Sequence, residues 1–223
     1  MKPIRIALTK GRLEKDTVGL FDEMGMDTAA VREKGRKLIL PVSLPDGLSC
    51  CGQTVEVVLA KAADVLTYVE HGVCDLGVVG KDTIAEYGGS FYEVLDLGFG
   101  RCRFALAAPK DRDFFGGYAA KTVASKYPNV SRAYFSKKGM DVRIIKIEGS
   151  VELAPLLGLA DGIVDIVETG STLKENGLQV VEDVMPISAR LIVNMACMKL
   201  RKTELEQFID RMENTLEKRR KAQ

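Results

Sequence analysis

Four consecutive residues, Thr169, Gly170, Ser171 and Thr172, form a loop whose composition suits a phosphate group. The loop follows an apolar run and precedes a helical pattern, so backbone N–H groups and hydroxyl groups are expected together at a helix N-terminus. Glycine lets the backbone approach a ligand closely. The alternative is an ordinary helix N-cap. The residues alone make this loop a candidate phosphate site and leave the structural role open.

Two acidic residues, Asp165 and Glu168, come just before that loop. A carboxylate beside a bound sugar phosphate can accept hydrogen bonds from the sugar hydroxyl groups. The same carboxylates could equally form ion pairs at the surface. Both interpretations stay open at the level of the sequence.

Two basic residues, Lys10 and Arg12, lie in the turn that joins the first predicted strand to the first predicted helix. In open α/β folds this edge of the sheet is the one that faces the ligand. Arginine can hold a pyrophosphate with two parallel N–H donors, and lysine can hold it as a point charge. Two basic residues in a loop are usually only solvated, so the motif is weak by itself.

Two further segments combine a glycine turn with charged side chains. Gly149 and Ser150 precede a predicted helix that has Glu152 in its first turn, where helix capping and ligand binding explain the pattern equally well. The segment from Gly98 to Arg103 places two arginines beside flexible glycines at a predicted crossing between lobes. Clefts between lobes commonly bind ligands.

The composition of the 223 residues is that of a folded protein, with 46% hydrophobic and 28% charged residues. A formal net charge of +1 gives no overall field that would attract nucleic acid or an anionic membrane. No apolar run approaches the roughly 20 residues of a membrane-spanning helix, and the N-terminus has no signal-peptide pattern. The sequence therefore predicts a cytoplasmic protein that binds its anions locally.

Five cysteines and one histidine give no sign of a disulfide framework or a zinc site. The cysteines are odd in number and lack both a CxxC pair and a histidine at ligand spacing, so we expect reduced thiols, with two of them in the core. His71 lies at the end of a helical pattern, where interaction with the helix C-terminus is expected rather than catalysis. The cysteines are Cys50, Cys51, Cys74, Cys102 and Cys197, and the two expected in the core are Cys74 and Cys102.

Short β-branched runs alternate with amphipathic helical stretches, which is typical of α/β proteins. A final helix carries an apolar stripe, which we expect to face the core rather than a partner. The predicted strands are Ile4 to Thr9, Val55 to Leu59, Asp75 to Gly80, Arg103 to Ala108, Thr122 to Ala124, Asp141 to Ile147, Gly162 to Val167 and Ile187 to Val193; the predicted helices are Glu14 to Met24, Ala62 to Gly72, Lys81 to Tyr87 and Asn129 to Lys138; and the stripe is Leu205, Phe208, Ile209, Met212 and Leu216.

The predicted strands fall into two groups, so we expect two sheets in two lobes. Glycines in residues 97–100 would let the chain cross to the second lobe, and the chain is predicted to return near Val180 to Met185. The first lobe then comprises residues 1–98 and 182–223. The second comprises residues 99–181 and carries the phosphate loop.

Several segments, taken in order, resemble the ATP phosphoribosyltransferase family, and the match spans nearly the whole chain. Its most specific parts are Gly158 to Asp161, Thr169 to Leu173 and Asn176 to Leu178. The remaining segments are Lys10 to Arg12, Asp75 to Asp82, Cys102 to Arg103, Ala124 to Pro128, Gly149 to Pro155 and Asp165 to Glu168.

The resemblance implies a two-lobed α/β protein of the type II periplasmic-binding-protein fold, with mainly parallel sheets and flanking helices. It implies an enzyme that joins ATP, through N1 of adenine, to 5-phosphoribosyl 1-pyrophosphate (PRPP) in the first step of histidine biosynthesis. Mg²⁺ would be bound mainly through substrate polyphosphate. The chain is similar to the short form of the family, which implies a dimer of catalytic chains and a separate regulatory subunit similar to histidyl-tRNA synthetase.

The resemblance also implies a role for each segment of the phosphoribosyl site. Thr169 to Thr172 would hold the 5′-phosphate of PRPP, and Asp165, with Glu168 beside it, would bind the ribose hydroxyl groups. Glu152 is a further candidate for substrate binding. Glu148 stands where relatives often carry Asn, and a carboxylate there is unfavourable to a polyphosphate unless it faces away or shares the metal.

The remaining roles concern the pyrophosphate and the phosphates of ATP, which Lys10, Arg12 and Arg103 would bind, with Asp82 as a further candidate. Lys10 and Arg12 should then face the same cleft as the phosphate loop. The alternative function is a non-catalytic two-lobed binding module. An exported binder would need a signal peptide, and a transcription regulator would need a helix-turn-helix segment, and the sequence shows neither pattern.

Overall fold

The computed structural model describes residues 2–45 and 54–222 and divides the chain into two compact units. The first unit comprises Met1–Ile84, Gly88–Gly100 and Ser188–Gln223, and the second comprises Ala85–Tyr87 and Arg101–Ile187. Cys50 and Cys51, which the sequence predicts to be reduced thiols, lie outside the described residues.

Strands and helices alternate for most of the chain, as its runs of β-branched residues and amphipathic stretches predict. The strands are β1 (Ile4–Thr9), β2 (Ile39–Ser43), β3 (Thr54–Ala60), β4 (Leu76–Gly80), β5 (Phe91–Asp96), β6 (Cys102–Pro109), β7 (Lys121–Ser125), β8 (Val142–Lys146), β9 (Gly162–Val167), β10 (Leu178–Ile187) and β11 (Ala189–Asn194). The helices are α1 (Arg12–Glu23), α2 (Ala29–Arg32), α3 (Ala62–Glu70), α4 (Lys81–Tyr87), α5 (Pro128–Lys137), α6 (Leu153–Leu156), α7 (Ser171–Glu175), α8 (Met195–Leu200) and α9 (Lys202–Ala222).

The first unit contains a mixed sheet in the order β2-β3-β1-β4-β11-β5. β1 lies between β3 and β4 and runs parallel to both, whereas β2, β11 and β5 run antiparallel to their neighbours. Ile4, Ile6 and Leu8 of β1 are fully buried in a core that α1 and α9 share. The carboxyl ends of the parallel strands meet at one edge, and the turn after β1, with Lys10, lies there.

Helix α9 packs its apolar stripe into this core. The five residues of the stripe are each at most 8% exposed. The ring of Phe208 meets the ring of Phe21 in α1 edge to face, with 6.2 Å between the centroids. The expectation that the stripe faces the core is confirmed.

The second unit contains a mixed sheet in the order β10-β6-β9-β7-β8. β9, β7 and β8 run parallel, and β6 and β10 run antiparallel to their neighbours. The carboxyl ends of the parallel strands and the amino end of β6 therefore share one edge. One face consists of small residues such as Ala105 and Ala107 under α6 and α7, and the other carries Phe104 and Leu106 under α5.

The predicted α/β class is confirmed, but each sheet is mixed rather than mainly parallel. The sequence pattern missed the antiparallel strands β2, β5 and β10. β2 contains Pro41 and alternates exposed and buried residues at an edge of its sheet. The pairing of β10 with β6 has two irregularities. Neither strand presents the continuous apolar run that identifies a buried strand.

The structure divides the chain at positions that differ from the lobes drawn on the sequence. The first crossing falls after Gly100 rather than after residue 98. The sequence analysis predicted residues 182–187 to lie in the first lobe. They belong instead to β10, which pairs with β6 as far as Ile187 opposite Cys102. The return to the first unit therefore comes at Ser188, because the ladder of β10 holds the chain in the second sheet until then.

Candidate active site

The loop from Thr169 to Thr172 lies at the carboxyl end of β9 and opens α7. Gly170 caps the helix in the left-handed conformation, with φ at 78° and ψ at 8°, which residues with a side chain rarely adopt. Leu173 is 5% exposed and anchors the first turn in the alanine-rich core. The backbone of the loop is thereby fixed while its hydroxyl-bearing side chains remain exposed.

Hydrogen bonds bring the hydroxyl groups of this loop together. The hydroxyl oxygens of Thr169 and Ser171 lie 3.1 Å apart, and the backbone N–H of Ser171 donates to Thr169 Oγ1 at 3.4 Å. The side-chain amide of Asn176 donates to the Thr172 carbonyl at 2.8 Å and closes the other end of α7. Hydroxyl groups and the amino end of a helix therefore converge, which suits a phosphate.

The loop borders a pocket of about 310 Å³ that brings together residues from two predicted segments. Asp165 and Glu168 reach it from β9 and the residue after its end, and Glu152 reaches it from the turn before α6. Glu152 is about 15 residues away in sequence, and the packing of α6 against the face of β9 brings it close. The pocket thus combines hydroxyl groups with three carboxylates.

Asp165 lies on the small-residue face of the sheet, opposite Ala105 of β6. Burial raises the pKa of Asp165 to about 6, and a hydrogen bond from the Ile166 N–H opposes this rise. The negative charge of Glu152 adds to the rise, and the positive charge of Lys126 opposes it. A carboxyl group with such a pKa is often found at a functional site.

In the first unit, Lys10 and Arg12 flank the start of α1. Gly11 between them has φ at 103° and caps the helix, and its N–H donates to Glu14 Oε2 at 3.3 Å. Both basic side chains are exposed. The turn therefore presents two cations at the carboxyl edge of its sheet, as the sequence predicts.

A pocket of about 420 Å³ beside Lys10 is lined by further basic residues that the sequence analysis missed. These are Lys15, Lys34, Arg36 and Lys37. Lys34 is neutralised by an ion pair with the buried carboxylate of Glu14. Within the described ranges, the side chains of Lys10, Lys15, Arg36 and Lys37 form no ion pair. The sequence signal was the dense basic run Lys34 to Lys37, which composition alone would assign to a solvated loop.

Arg12 lines neither pocket, and three other residues singled out from the sequence also lie outside them. The Arg103 guanidinium at the amino end of β6 pairs with Asp183 of β10 at 2.6 Å, so its charge is shared with a carboxylate. Asp82 lies in the first turn of α4 in the first unit. Glu148 is exposed and pairs with Lys146 at 2.7 Å, and this hydrogen-bonded lysine lowers the pKa of Glu148.

The described cysteines form no disulfide bond, and the histidine lies at a helix end. Burial raises the pKa of Cys74 to about 11, which makes it an inert core thiol, and Cys102 is half-buried. The backbone N–H of His71 donates to the Thr67 carbonyl at 3.1 Å, and ring atom Nδ1 lies 3.0 Å from the same oxygen. His71 therefore interacts with the C-terminal turn of α3, as predicted.

Across residues 2–45 and 54–222, no three His, Cys, Asp or Glu side chains are grouped closely enough to hold a metal ion. The same residues include no helix with the length and apolar character that crossing a membrane requires.

Known proteins resemble this chain in sequence and in fold. A family model described as ATP phosphoribosyltransferase matches residues 61–214. A protein named ATP phosphoribosyltransferase from Clostridium kluyveri is 58% identical over 220 residues, covering 97% of this chain and 97% of its own. The structure of the ATP phosphoribosyl transferase (HisG:HisZ) complex from Thermotoga maritima aligns with a TM-score of 0.77 and 31% identity, covering 96% of this chain and 98% of that chain.

A more distant likeness concerns the fold alone. The alkanesulfonate-binding protein SsuA from Xanthomonas axonopodis pv. citri aligns with a TM-score of 0.55 and 12% identity, covering 99% of this chain and 76% of that chain. The expectation of a periplasmic-binding-protein-like fold is thereby confirmed.

Proposed function

The chain belongs to the ATP phosphoribosyltransferase family, and we propose that the Thr169 to Thr172 loop holds the 5′-phosphate of PRPP while the basic pocket beside Lys10 holds phosphates of the reacting pair. The reaction condenses ATP with PRPP to N1-(5-phosphoribosyl)-ATP and pyrophosphate, the first step of histidine biosynthesis. The assignment of residues to the parts of this reaction follows from their chemistry.

The reaction forms a bond between N1 of adenine and C1 of ribose, and the bond from C1 to the pyrophosphate oxygen breaks. Pyrophosphate leaves with the electron pair, and C1 passes through an oxocarbenium-like state similar to that of glycoside hydrolysis. N1 of neutral adenine already carries a lone pair, so the step needs no general base. The protein acts by aligning two anionic substrates and by stabilising the departing charge.

The observation that carries the assignment of the 5′-phosphate is the geometry of the loop. Its hydroxyl groups lie 3.1 Å apart beside the amino end of α7, and left-handed Gly170 keeps side-chain atoms away from the approach. Phosphate dianions bind where backbone N–H groups and hydroxyl groups converge in this way. Asp165 and Glu168, in the same pocket, are then placed to accept hydrogen bonds from the ribose hydroxyl groups.

The basic pocket supports the second half of the proposal. Arg36, Lys37, Lys15 and Lys10 concentrate positive charge around one cavity. Such a concentration of like charge is unfavourable until an anion enters. Arg12 is exposed at the start of α1, and a guanidinium group can donate two parallel hydrogen bonds to a phosphate. Pyrophosphate and the triphosphate of ATP are the anions that the reaction supplies.

Mg²⁺ is the proposed cofactor, held mainly by oxygen atoms of the substrate polyphosphate. Carboxylates are the ligands that Mg²⁺ prefers in proteins. Glu152, Asp165 and Glu168 line the pocket of about 310 Å³ beside the Thr169 to Thr172 loop, which we call the phosphoribosyl pocket. No group of three acidic, cysteine or histidine side chains in the described chain is tight enough to hold a metal alone. This donor set fits an ion that keeps water and substrate ligands. When bound, Mg²⁺ would neutralise negative charge on the polyphosphate.

The proposal extends to assembly and location. The Thermotoga relative is a complex whose two components are named HisG and HisZ. We propose that dimers of this chain likewise work with a separate regulatory subunit similar to histidyl-tRNA synthetase, and that they do so in the cytoplasm.

The test compares catalysis with simple binding. The purified chain, supplied with its partner subunit, should release pyrophosphate from PRPP only when ATP is present. Arg36→Gln should lower kcat/KM at least tenfold, because a charged hydrogen bond contributes about 1.5–3 kcal/mol. Arg143→Gln, an exposed position on β8, is the control. Binding of PRPP without ATP-dependent release of pyrophosphate would instead identify a non-catalytic binding module.

A further inference from the structure

More acidic than basic side chains line the phosphoribosyl pocket. Three carboxylates line it, and the lining residues include no lysine or arginine. PRPP is itself a polyanion, with a 5′-phosphate at one end and a pyrophosphate on C1 at the other. A site that binds such a ligand beside carboxylates needs a nearby cation.

Lys126 lies next to this pocket because of the strand register. β7 and β9 are parallel neighbours in which Ala124 lies opposite Ile163. Extending this register by two residues along both strands brings Lys126, the first residue after β7, level with Asp165. Ala124 and Ile163 belong to the same small-residue core, so this side of the sheet is also the side that bears the pocket. Lys126 is exposed at the carboxyl edge.

The ammonium group of Lys126 influences two carboxylates and pairs with neither. Burial raises the pKa of Asp165, and the charge of Lys126 opposes that rise. Lys146 lowers the pKa of Glu148, with a smaller contribution from Lys126. Glu148 already has Lys146 at 2.7 Å, and in the described part of the chain Lys126 has no ion pair. Its charge is therefore available to a ligand.

The order of groups along the sheet edge indicates which part of PRPP this cation meets. The loop before α7 lies on one side of Asp165, because α7 packs towards β10. Lys126 lies on the other side, directly after the end of β7. Along the sheet edge the order is the loop, then Asp165, then Lys126. Along PRPP the order is the 5′-phosphate, then the ribose, then the pyrophosphate, so the two orders match.

We propose that Lys126 binds the 1-pyrophosphate group of PRPP from the side of the ribose opposite the Thr169 to Thr172 loop. This inference rests on the proposed function of that loop.

The test uses two ligands that differ only in the group at issue. Binding of PRPP and of ribose 5-phosphate is measured by calorimetry on the full-length chain, with Mg²⁺ present. Lys126→Met should weaken PRPP binding about tenfold, the loss expected for one charge-assisted hydrogen bond, and should leave ribose 5-phosphate binding within twofold. Lys126→Arg should restore most of the affinity. Lys137→Met, an exposed position at the end of α5, is the control for general charge.

The outcomes separate this inference from the function of the loop. Unchanged PRPP affinity in Lys126→Met, or an equal loss for both ligands, overturns the pyrophosphate assignment. Thr172→Ala, measured in parallel, should weaken the binding of both PRPP and ribose 5-phosphate. If Thr172→Ala changes neither affinity while Lys126→Met weakens PRPP alone, the loop assignment fails and the lysine assignment stands.

Discussion

Gly170 adopts a backbone conformation that few other residues tolerate, and it does so where the proposed phosphate meets the chain. A side chain placed there would meet only Val167, at 3.7 Å, which is an ordinary contact. The requirement for glycine therefore comes from the dihedral angle and from the approach of a ligand, and crowding within the protein contributes little.

Gly170→Val combined with Thr172→Ala should lower kcat/KM for PRPP at least tenfold and leave ATP binding nearly unchanged. Valine disfavours the left-handed backbone, and loss of the Thr172 hydroxyl removes a charge-assisted hydrogen bond of about 1.5–3 kcal/mol. Gly177→Val is the matched control, because Gly177 has φ at 69° at the other end of α7 and open space around it. Initial rates and circular dichroism check the result. If the folded double variant kept the wild-type kcat/KM, the loop would act only as a helix cap.

Asp165→Asn should stabilise the protein at pH 8 while lowering its activity. The pKa of Asp165 is raised to about 6 by burial, so the folded state binds the proton more tightly than the unfolded state does. Stability contributed by this group is present at low pH and is lost as the pH rises towards 6, since ionisation then opposes burial. Asparagine removes that penalty, by roughly 1–3 kcal/mol at pH 8 and by little at pH 4.

Urea unfolding at the two pH values measures the effect. Glu148→Gln is the control with the opposite sign, because Lys146 lowers the pKa of Glu148 and its contribution to stability is lost at low pH. Equal stability of Asp165→Asn and the wild type at pH 8 would show that Asp165 is solvated well enough to ionise without penalty.

At the scale of the elements, sequence patterns predict the strands and helices whose apolar or amphipathic pattern is continuous, and they miss strands whose pattern is irregular. β1, α4 and β9 have the predicted bounds, because each is a compact apolar or amphipathic run. β10 lies at a sheet edge, and irregularities in its pairing break its alternation. No local signal reveals that it continues the second sheet to Ile187, since this depends on a partner strand about 80 residues away.

The two pockets differ in how far the sequence predicts them. The loop, Asp165 and Glu168 lie within one short segment, so their proximity follows from the strand and turn that the residues themselves encode. Arg36 and Lys10 are about 26 residues apart and meet through tertiary packing near the carboxyl edge of β1 and β3. Basic residues in a polar run give no indication of that meeting.

Helix α9 supports the first unit through its apolar stripe, so truncating one buried ring should destabilise the protein and leave substrate contacts in place. Phe208 is fully buried against Phe21. Phe208→Ala should lower the free energy of unfolding by about 3–5 kcal/mol, through lost burial and the cavity left behind. Gln207→Ala, exposed one position earlier, should change it by less than about 0.5 kcal/mol. Urea unfolding decides, and similar midpoints for both variants would contradict a core role for the helix.

At the scale of the whole molecule, each unit contains one kind of proposed anion site. The second unit has a hydroxyl-rich loop with carboxylates, and the first has a cavity dominated by lysine and arginine. A sugar phosphate needs hydrogen-bond acceptors for its hydroxyl groups as well as donors for its phosphate, whereas a polyphosphate needs cations. The proposed division of the substrates follows this difference. Whether Lys10 and Arg12 share a cleft with the Thr169 to Thr172 loop stays a prediction.

The partner subunit should govern both turnover and regulation. We expect the isolated chain to be poorly active and insensitive to histidine, and the complex to gain at least tenfold in kcat and to become inhibitable by histidine. The two units contain the proposed substrate contacts. The Thermotoga relative, of which 98% of the chain aligns with this one, forms part of a complex. An effector bound to a partner acts only through a difference in free energy between two states of the assembly. Initial rates at saturating PRPP and ATP, with and without the partner and over a range of histidine concentrations, measure both effects. Strong inhibition of the isolated chain by histidine would place the effector site on this chain and contradict the division of labour.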